Sequence, residues 1–161
     1  MIPLQQRNRE CLLAALCAAH GYGQVEYERL SDRYGWASGH RWAEADNHSR
    51  LGFVTAVFGL EVATWVRRAL SHHEGRRDIG ADAAPVPQGR LLIVDAYAGA
   101  MNVSAHAVWM LPSGVICDSA CPRLFADVFA FVQDWLDRRH PEATRCDLNG
   151  QTVWTAMEVC T

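Results

Sequence analysis

Residues 90–120 read RLLIVDAYAGAMNVSAHAVWMLPSGVICDSA, and this stretch constrains the fold most. RLLIVDAYA, SAHAVWML and GVICDSA are three short runs with the apolar and β-branched content of strands. The last two are joined at Pro112-Ser113-Gly114, a connection that suits a hairpin and not a crossover. An antiparallel sheet is therefore expected in the second half. The first half reads differently. CLLAALCAA carries the apolar face of a helix, VEYERLSDRYG reads as a second short helix stopped by Gly35, and GWASGHRWAEADNH is loop-like. Ser49 to His72 is mostly helical, although GLEVATWV also fits a strand. HHEGRRDIGADAAPVPQG, from His72 to Gly89, has linker composition. Beyond the hairpin, residues 122–139 form an amphipathic helix with Pro122 near its start, and Asn149-Gly150 marks a turn before a final strand. Helices first and antiparallel strands second give an α+β layout. The expected organisation is one domain over 1–161: a helical half to about residue 75, a linker over about 76–89, and a β half from about 90.

Composition excludes several classes. Half the residues are hydrophobic, which argues against disorder. The net charge is −3 with scattered basic residues, so no nucleic-acid partner is expected. No apolar run approaches the roughly 18 residues of a membrane span, so no membrane role is expected. The six cysteines (Cys11, Cys17, Cys117, Cys121, Cys146 and Cys160) are read as reduced thiols of a cytoplasmic protein, not as a disulfide set. Cys117 and Cys121 lack the second pair that a structural zinc site needs, so no metal is expected. Phosphate-binding glycine loops and G-x-S-x-G are absent, and no cofactor is expected.

The N-terminal stretch LQQRNRECLLAALCAAHGY supports three readings. A secretory signal would use Arg7 and Arg9 before CLLAALCAA, but Glu10 abuts the apolar run, and Leu16 before Cys17 rules out a lipobox. A plain core helix would bury both cysteines. A nucleophile at a helix start would use the dipole and free N–H groups to favour thiolate. Asn8 is the expected N-cap, which puts Cys11 at the third helical position, with Gly21 or Gly23 ending the helix. Glu10 is expected to project towards solvent and oppose the thiolate only weakly.

Residues far along the chain decide between these. A hairpin centred near residues 112–113 sets His106 nearly opposite Asp118, with Cβ atoms about 5 Å apart. A carboxylate on one ring nitrogen fixes the tautomer and aims the other outward. If that nitrogen meets Cys11, the result is a Cys–His–Asp triad. Alone, His106 reads as a structural strand histidine and Asp118 as a strand-end turn residue.

QQRNREC, with Gln5 six residues before Cys11, then CLLAALCAA, then HAVWMLPSGVICDS, together resemble the papain-like cysteine peptidases. The closest likeness is to their compact bacterial and phage branch, the peptidase C39-like group. The resemblance implies a papain-like fold, with a nucleophile helix packed on a C-terminal antiparallel sheet. It implies Cys11 as nucleophile, His106 as general base, Asp118 as the residue orienting that base, and Gln5 as oxyanion donor with Gln6 as the fallback. The Cys11 N–H would be the second donor. Two departures stand out: Glu10-Cys11-Leu12 replaces the family's tighter turn at the nucleophile, and Ser119 follows Asp118 where proline is usual.

The remaining candidates carry less. His72-His73 reads as a solvated pair, and His20, His40, His48 and His140 show no ligand spacing. Trp36, Trp42 and Trp65 read as core, in preference to a substrate groove. The expected function is hydrolysis of an amide, peptide or isopeptide bond in a peptide or protein substrate, through a thioester. Acyl transfer would use the same residues. The alternative is a phage or bacterial interaction or inhibitor protein that uses this fold for binding without hydrolysis.

Overall fold

The computed structural model describes residues 3–73, 84–148 and 151–153. Their order is α1 (Cys11–Ala19), α2 (Gln24–Ser38), a 3₁₀ turn (Trp42–Glu44), α3 (Asn47–Phe58), α4 (Leu60–His73), β1 (Ala84–Val86), β2 (Gly89–Ala98), β3 (Met101–Met110), β4 (Ile116–Asp118), β5 (Arg123–Phe125), α5 (Val128–Arg139), β6 (Arg145–Leu148) and β7 (Gln151–Val153). The fold is α+β. Among the described residues no helix is long and apolar enough to cross a membrane.

All strand pairs are antiparallel, in the order β5-β4-β3-β2-β6-β7, with β1 also pairing β2. β1 flanks β2 at Gly89–Leu91 and β6 flanks it at Val94–Tyr97. Both faces of the sheet are covered. Leu91, Ile93 and Trp109 face a core built with Leu13, Leu16 and Val66 of the helical half. Leu92, Val94 and Val108 face a second core made with Phe131 and Trp135 of α5. That two-sided burial explains why RLLIVDAYA is apolar at consecutive positions instead of alternating.

Several local expectations are corrected. α2 runs through Gly35 and stops at Gly39, whose φ of +78 suits the left-handed helix end and whose N–H donates to the Gly35 carbonyl at 3.0 Å. GLEVATWV is helical: Val62, Ala63, Val66 and Ala69 repeat at helical spacing and are all buried. Pro122 does not open a helix. Residues 123–125 form β5, and α5 begins after Asp127, whose carboxylate accepts from Ala130 N at 2.8 Å. β6 was not expected from the sequence. Part of the expected linker is β1 and the turn into β2. Gly89 there has φ +113, and a Cβ on it would lie 2.0 Å from the Met110 carbonyl oxygen, so only glycine fits. Residues 74–83, the Asn149-Gly150 turn and Cys160 lie outside the described residues, as do the side chains of His72 and His73, whose backbone ends α4. Trp42 and Trp65 are core, whereas Trp36 is 91 % exposed.

Candidate active site

α1 starts later than expected. Arg7 to Glu10 forms a turn in which Glu10 N donates to Arg7 O at 3.2 Å and Arg9 has φ +59. A left-handed residue cannot lie inside a right-handed helix, so Asn8 is in the turn and Glu10 is the N-cap. Cys11 is therefore the first helical residue, not the third. Glu10 does not face solvent either. It is buried and accepts from Tyr27 Oη at 2.6 Å and Ser31 Oγ at 2.9 Å. These two bonds to α2 anchor the residue before Cys11.

The hairpin register also differs, by an even step. Trp109 pairs with Cys117 and Met110 with Ile116, so continuing the ladder sets Asp118 beside Val108. His106 is then diagonal to Asp118. An even shift keeps both side chains on one face, whereas an odd shift would have separated them. His106 Nε2 lies 2.7 Å from Asp118 Oδ1 and donates to it. Asp118 is fully buried, and Oδ1 also accepts from Ala120 N at 3.0 Å. Its Oδ2 accepts from Arg139 at the end of α5. Phe131 and Trp135 of α5 stack near the imidazole, with ring centres 6.3 and 6.1 Å away.

β4 ends at Asp118, which leaves the edge of β3 open beyond Val108. The N-terminal segment passes that opening, where Gln6 N donates to Ser119 O at 3.0 Å. Cys11 packs against the core on the helical side of the sheet. Its sulfur faces His106, whose Nδ1 remains free for it, and takes in the N–H groups of Ala107 and Leu12. The structure thus brings together Cys11, His106 and Asp118. It separates Gln5 from them: Gln5 is exposed, and its backbone N–H donates to Gln24 at 2.9 Å. Gln5 lines a different cavity, with Tyr22 and Gln24. Gln6 lines the Cys11 cleft, and its amide oxygen is buried with no hydrogen-bond partner. Of the two glutamines it is therefore Gln6, the fallback, and not Gln5 that lies at the Cys11 cleft, because neighbours in an extended segment point opposite ways.

Titration behaviour separates Cys11 from the other thiols. Burial alone would push Cys11 up. Hydrogen bonding and charge from His106, with the Ala107 and Leu12 N–H groups, outweigh it and hold the thiol below its ordinary value. Burial pushes Cys17 and Cys146 up to about 12 and Cys117 to about 11. For His106, burial works downward, but the hydrogen bonds and charges of Asp118 and Cys11 raise it to about 9. Burial also opposes ionisation of Asp118, yet His106 and Arg139 keep it below the usual carboxylate range. The arrangement favours a thiolate–imidazolium pair backed by a carboxylate.

The five described cysteines are free. Among the described residues no group of three or more His, Cys, Asp or Glu could hold a metal ion. His20 Nδ1 bonds the Leu16 carbonyl at 2.8 Å, and His140 pairs with Glu142. Sequence reasoning missed Arg139. Its only sequence signal was two basic residues in the last turn of an amphipathic helix, which usually reads as helix-dipole compensation. No family model, curated protein or solved structure matches this chain.

Proposed function

We propose that the chain is a papain-like thiol hydrolase of the compact C39-like kind, cleaving an amide, peptide or isopeptide bond. One observation carries this reading. Cys11 is the described thiol whose titration is lowered, and it faces a histidine that a buried carboxylate orients. A core cysteine would be shifted upward, as Cys17 is.

The Cys11 thiolate attacks the substrate carbonyl, and the C=O electron pair moves to oxygen. In this scheme the Cys11 N–H, at the first helical position, and the Gln6 side-chain N–H₂ donate to that oxyanion. Collapse expels the amine, which takes its proton from the His106 imidazolium. The resulting thioester is hydrolysed by water. Neutral His106 accepts the water proton, the acid product leaves, and the thiolate–imidazolium pair is restored. Asp118 holds the imidazole throughout, and Arg139 holds Asp118 from behind. No metal or cofactor is required by this scheme. A reducing, cytoplasmic setting accords with a chemistry that needs a free thiol.

The test is labelling by an electrophilic thiol probe at neutral pH, mapped by mass spectrometry. Cys11 should be labelled ahead of Cys17, Cys117 and Cys146, and His106→Ala should abolish that preference. Equal labelling of several thiols would instead favour a binding module with an idle cysteine.

A further inference from the structure

The Cys11 cleft has a volume of about 600 Å³, and its lining includes two arginines, Arg9 and Arg50, but no aspartate or glutamate. Resting on the thiol-hydrolase reading, we propose that these arginines form an anionic subsite that binds a substrate carboxylate beside the scissile bond.

The hydrogen-bond accounting of Arg50 carries the inference. Its Nε donates to the Trp42 carbonyl at 3.0 Å, and its Nη2 donates to the Trp42 and Ala43 carbonyls at 2.8 and 3.2 Å. The guanidinium lies 5.6 Å from the Trp42 ring centre. A guanidinium carries five N–H donors. Three serve the 3₁₀ turn, and the two on Nη1 have no protein partner among the described residues. Carbonyls and an indole face fix the plane of the group without neutralising its charge. Fastening the 3₁₀ turn therefore explains three donors, but neither the remaining two nor the second arginine in the cleft lining.

Of the acids nearby, Glu44 of the 3₁₀ turn is exposed and lines a neighbouring cavity with Arg9, not this cleft, and three others are committed elsewhere. Asp46 accepts from Ser49 N at 2.7 Å at the start of its own helix. Asp32 takes Arg7 at 2.6 Å, and Glu10 is held by Tyr27 and Ser31. Arg9 is exposed and reaches the cleft from the left-handed turn that positions Cys11. Burial, then the charge of Arg9, depresses Arg50, while Tyr34, Cys11 and Asp46 act in the opposite sense, so Arg9, Arg50 and Cys11 share one local field. A planar guanidinium with a free edge, held in place on Trp42, matches a carboxylate. In a peptide-like substrate that carboxylate comes from an Asp or Glu side chain or from a chain terminus.

The experiment measures Cys11 alkylation by matched chloroacetyl probes, in which the sulfur displaces chloride. One pair is chloroacetyl-Glu-amide against chloroacetyl-Gln-amide. The other is chloroacetyl-Ala with a free carboxylate against its amide. The acidic member of at least one pair should react about tenfold faster, the scale of a charge-assisted hydrogen bond. A preference confined to the first pair assigns the side-chain source, and one confined to the second assigns the terminus. The ratio should fall towards one in Arg50→Gln, survive in part in Arg50→Lys, and shrink in Arg9→Gln, which leaves the 3₁₀ turn untouched. It should also decline with added salt. Ratios near one for both pairs in the wild type overturn the proposal, as does a preference that neither Arg50→Gln nor Arg9→Gln alters. Failure of every probe to label Cys11 would instead strike at the hydrolase reading, and this proposal would fall with it.

Discussion

Asp118→Asn removes one charge from a fully buried position and keeps the side chain's shape. Asp118 Oδ1 accepts from His106 and Ala120, and Oδ2 accepts from Arg139. An asparagine retains one acceptor and turns an N–H₂ towards the other donor. If the oxygen stays on His106, the Arg139 guanidinium faces an amide nitrogen. If the amide flips, the imidazole does. Either way one charge-assisted bond, worth about 1.5–3 kcal/mol, is lost. Breaking a buried pair costs up to about 5 kcal/mol, but Arg139 is 26 % exposed and water will recover part of that. A loss of about 2–4 kcal/mol in unfolding free energy is expected by urea denaturation at pH 7. His106 gives the second readout. The rise from 6.5 to about 9 corresponds to about 3 kcal/mol of preference for imidazolium, shared between Asp118 and Cys11. Without the Asp118 charge, burial is opposed only by Cys11, so His106 should titrate lower in an NMR titration. Arg139→Gln provides the opposite control. It removes the cation that competes for Asp118, so it should destabilise the fold while leaving His106 at or above its wild-type value. A variant Asp118→Asn within about 0.5 kcal/mol of wild type, with an unmoved His106 titration, would refute this reasoning.

Two further outcomes follow from the geometry. Gln6→Ala should slow turnover by about 100-fold, as removal of an oxyanion donor does, whereas Gln5→Ala should stay close to wild type in steady-state assays. Gly89→Ala should destabilise the protein by several kcal/mol or abolish soluble expression, because the new Cβ would sit 2.0 Å from the Met110 carbonyl oxygen at φ +113. Thermal melting of the purified variant reads that directly.

Much of this was legible because burial on both sheet faces and hairpin connections leave plain marks. The apolar run of β2 and the Pro112-Ser113-Gly114 turn set an antiparallel sheet, and the helical first half followed from spacing. Cys11, His106 and Asp118 each have ordinary structural readings alone, and could be named only because their order along the chain resembles that of the papain-like peptidases. What escaped depends on non-local facts. Whether Gln5 or Gln6 faces the cleft turns on one step of an extended segment, fixed by the bond from Gln6 N to Ser119 O. Glu10 looked solvent-bound because nothing in its neighbourhood reveals that Tyr27 and Ser31 of the next helix receive it. The hairpin register was misjudged by two residues because the loop is longer than a minimal turn, with Leu111 N bonded to Val115 O. β5 and β6 are too short to show a period. Arg139 became visible only when α5 was seen to end beside Asp118.

The central claim is that Cys11 and His106 form a thiolate–imidazolium pair, and the pH dependence of Cys11 alkylation tests it most directly. A lowered Cys11 and a raised His106 bracket a window in which both groups are charged. With iodoacetamide, the rate in wild-type protein should already be high at neutral pH. It should extend well below the ordinary thiol value of 9.0, and change again near pH 9 as His106 loses its proton. In His106→Ala the thiol loses its partner and keeps its burial, so the profile should move upward to or beyond that ordinary value. A wild-type profile that rises only near pH 9, unchanged by His106→Ala, would contradict the pair and reduce α1 to a core helix.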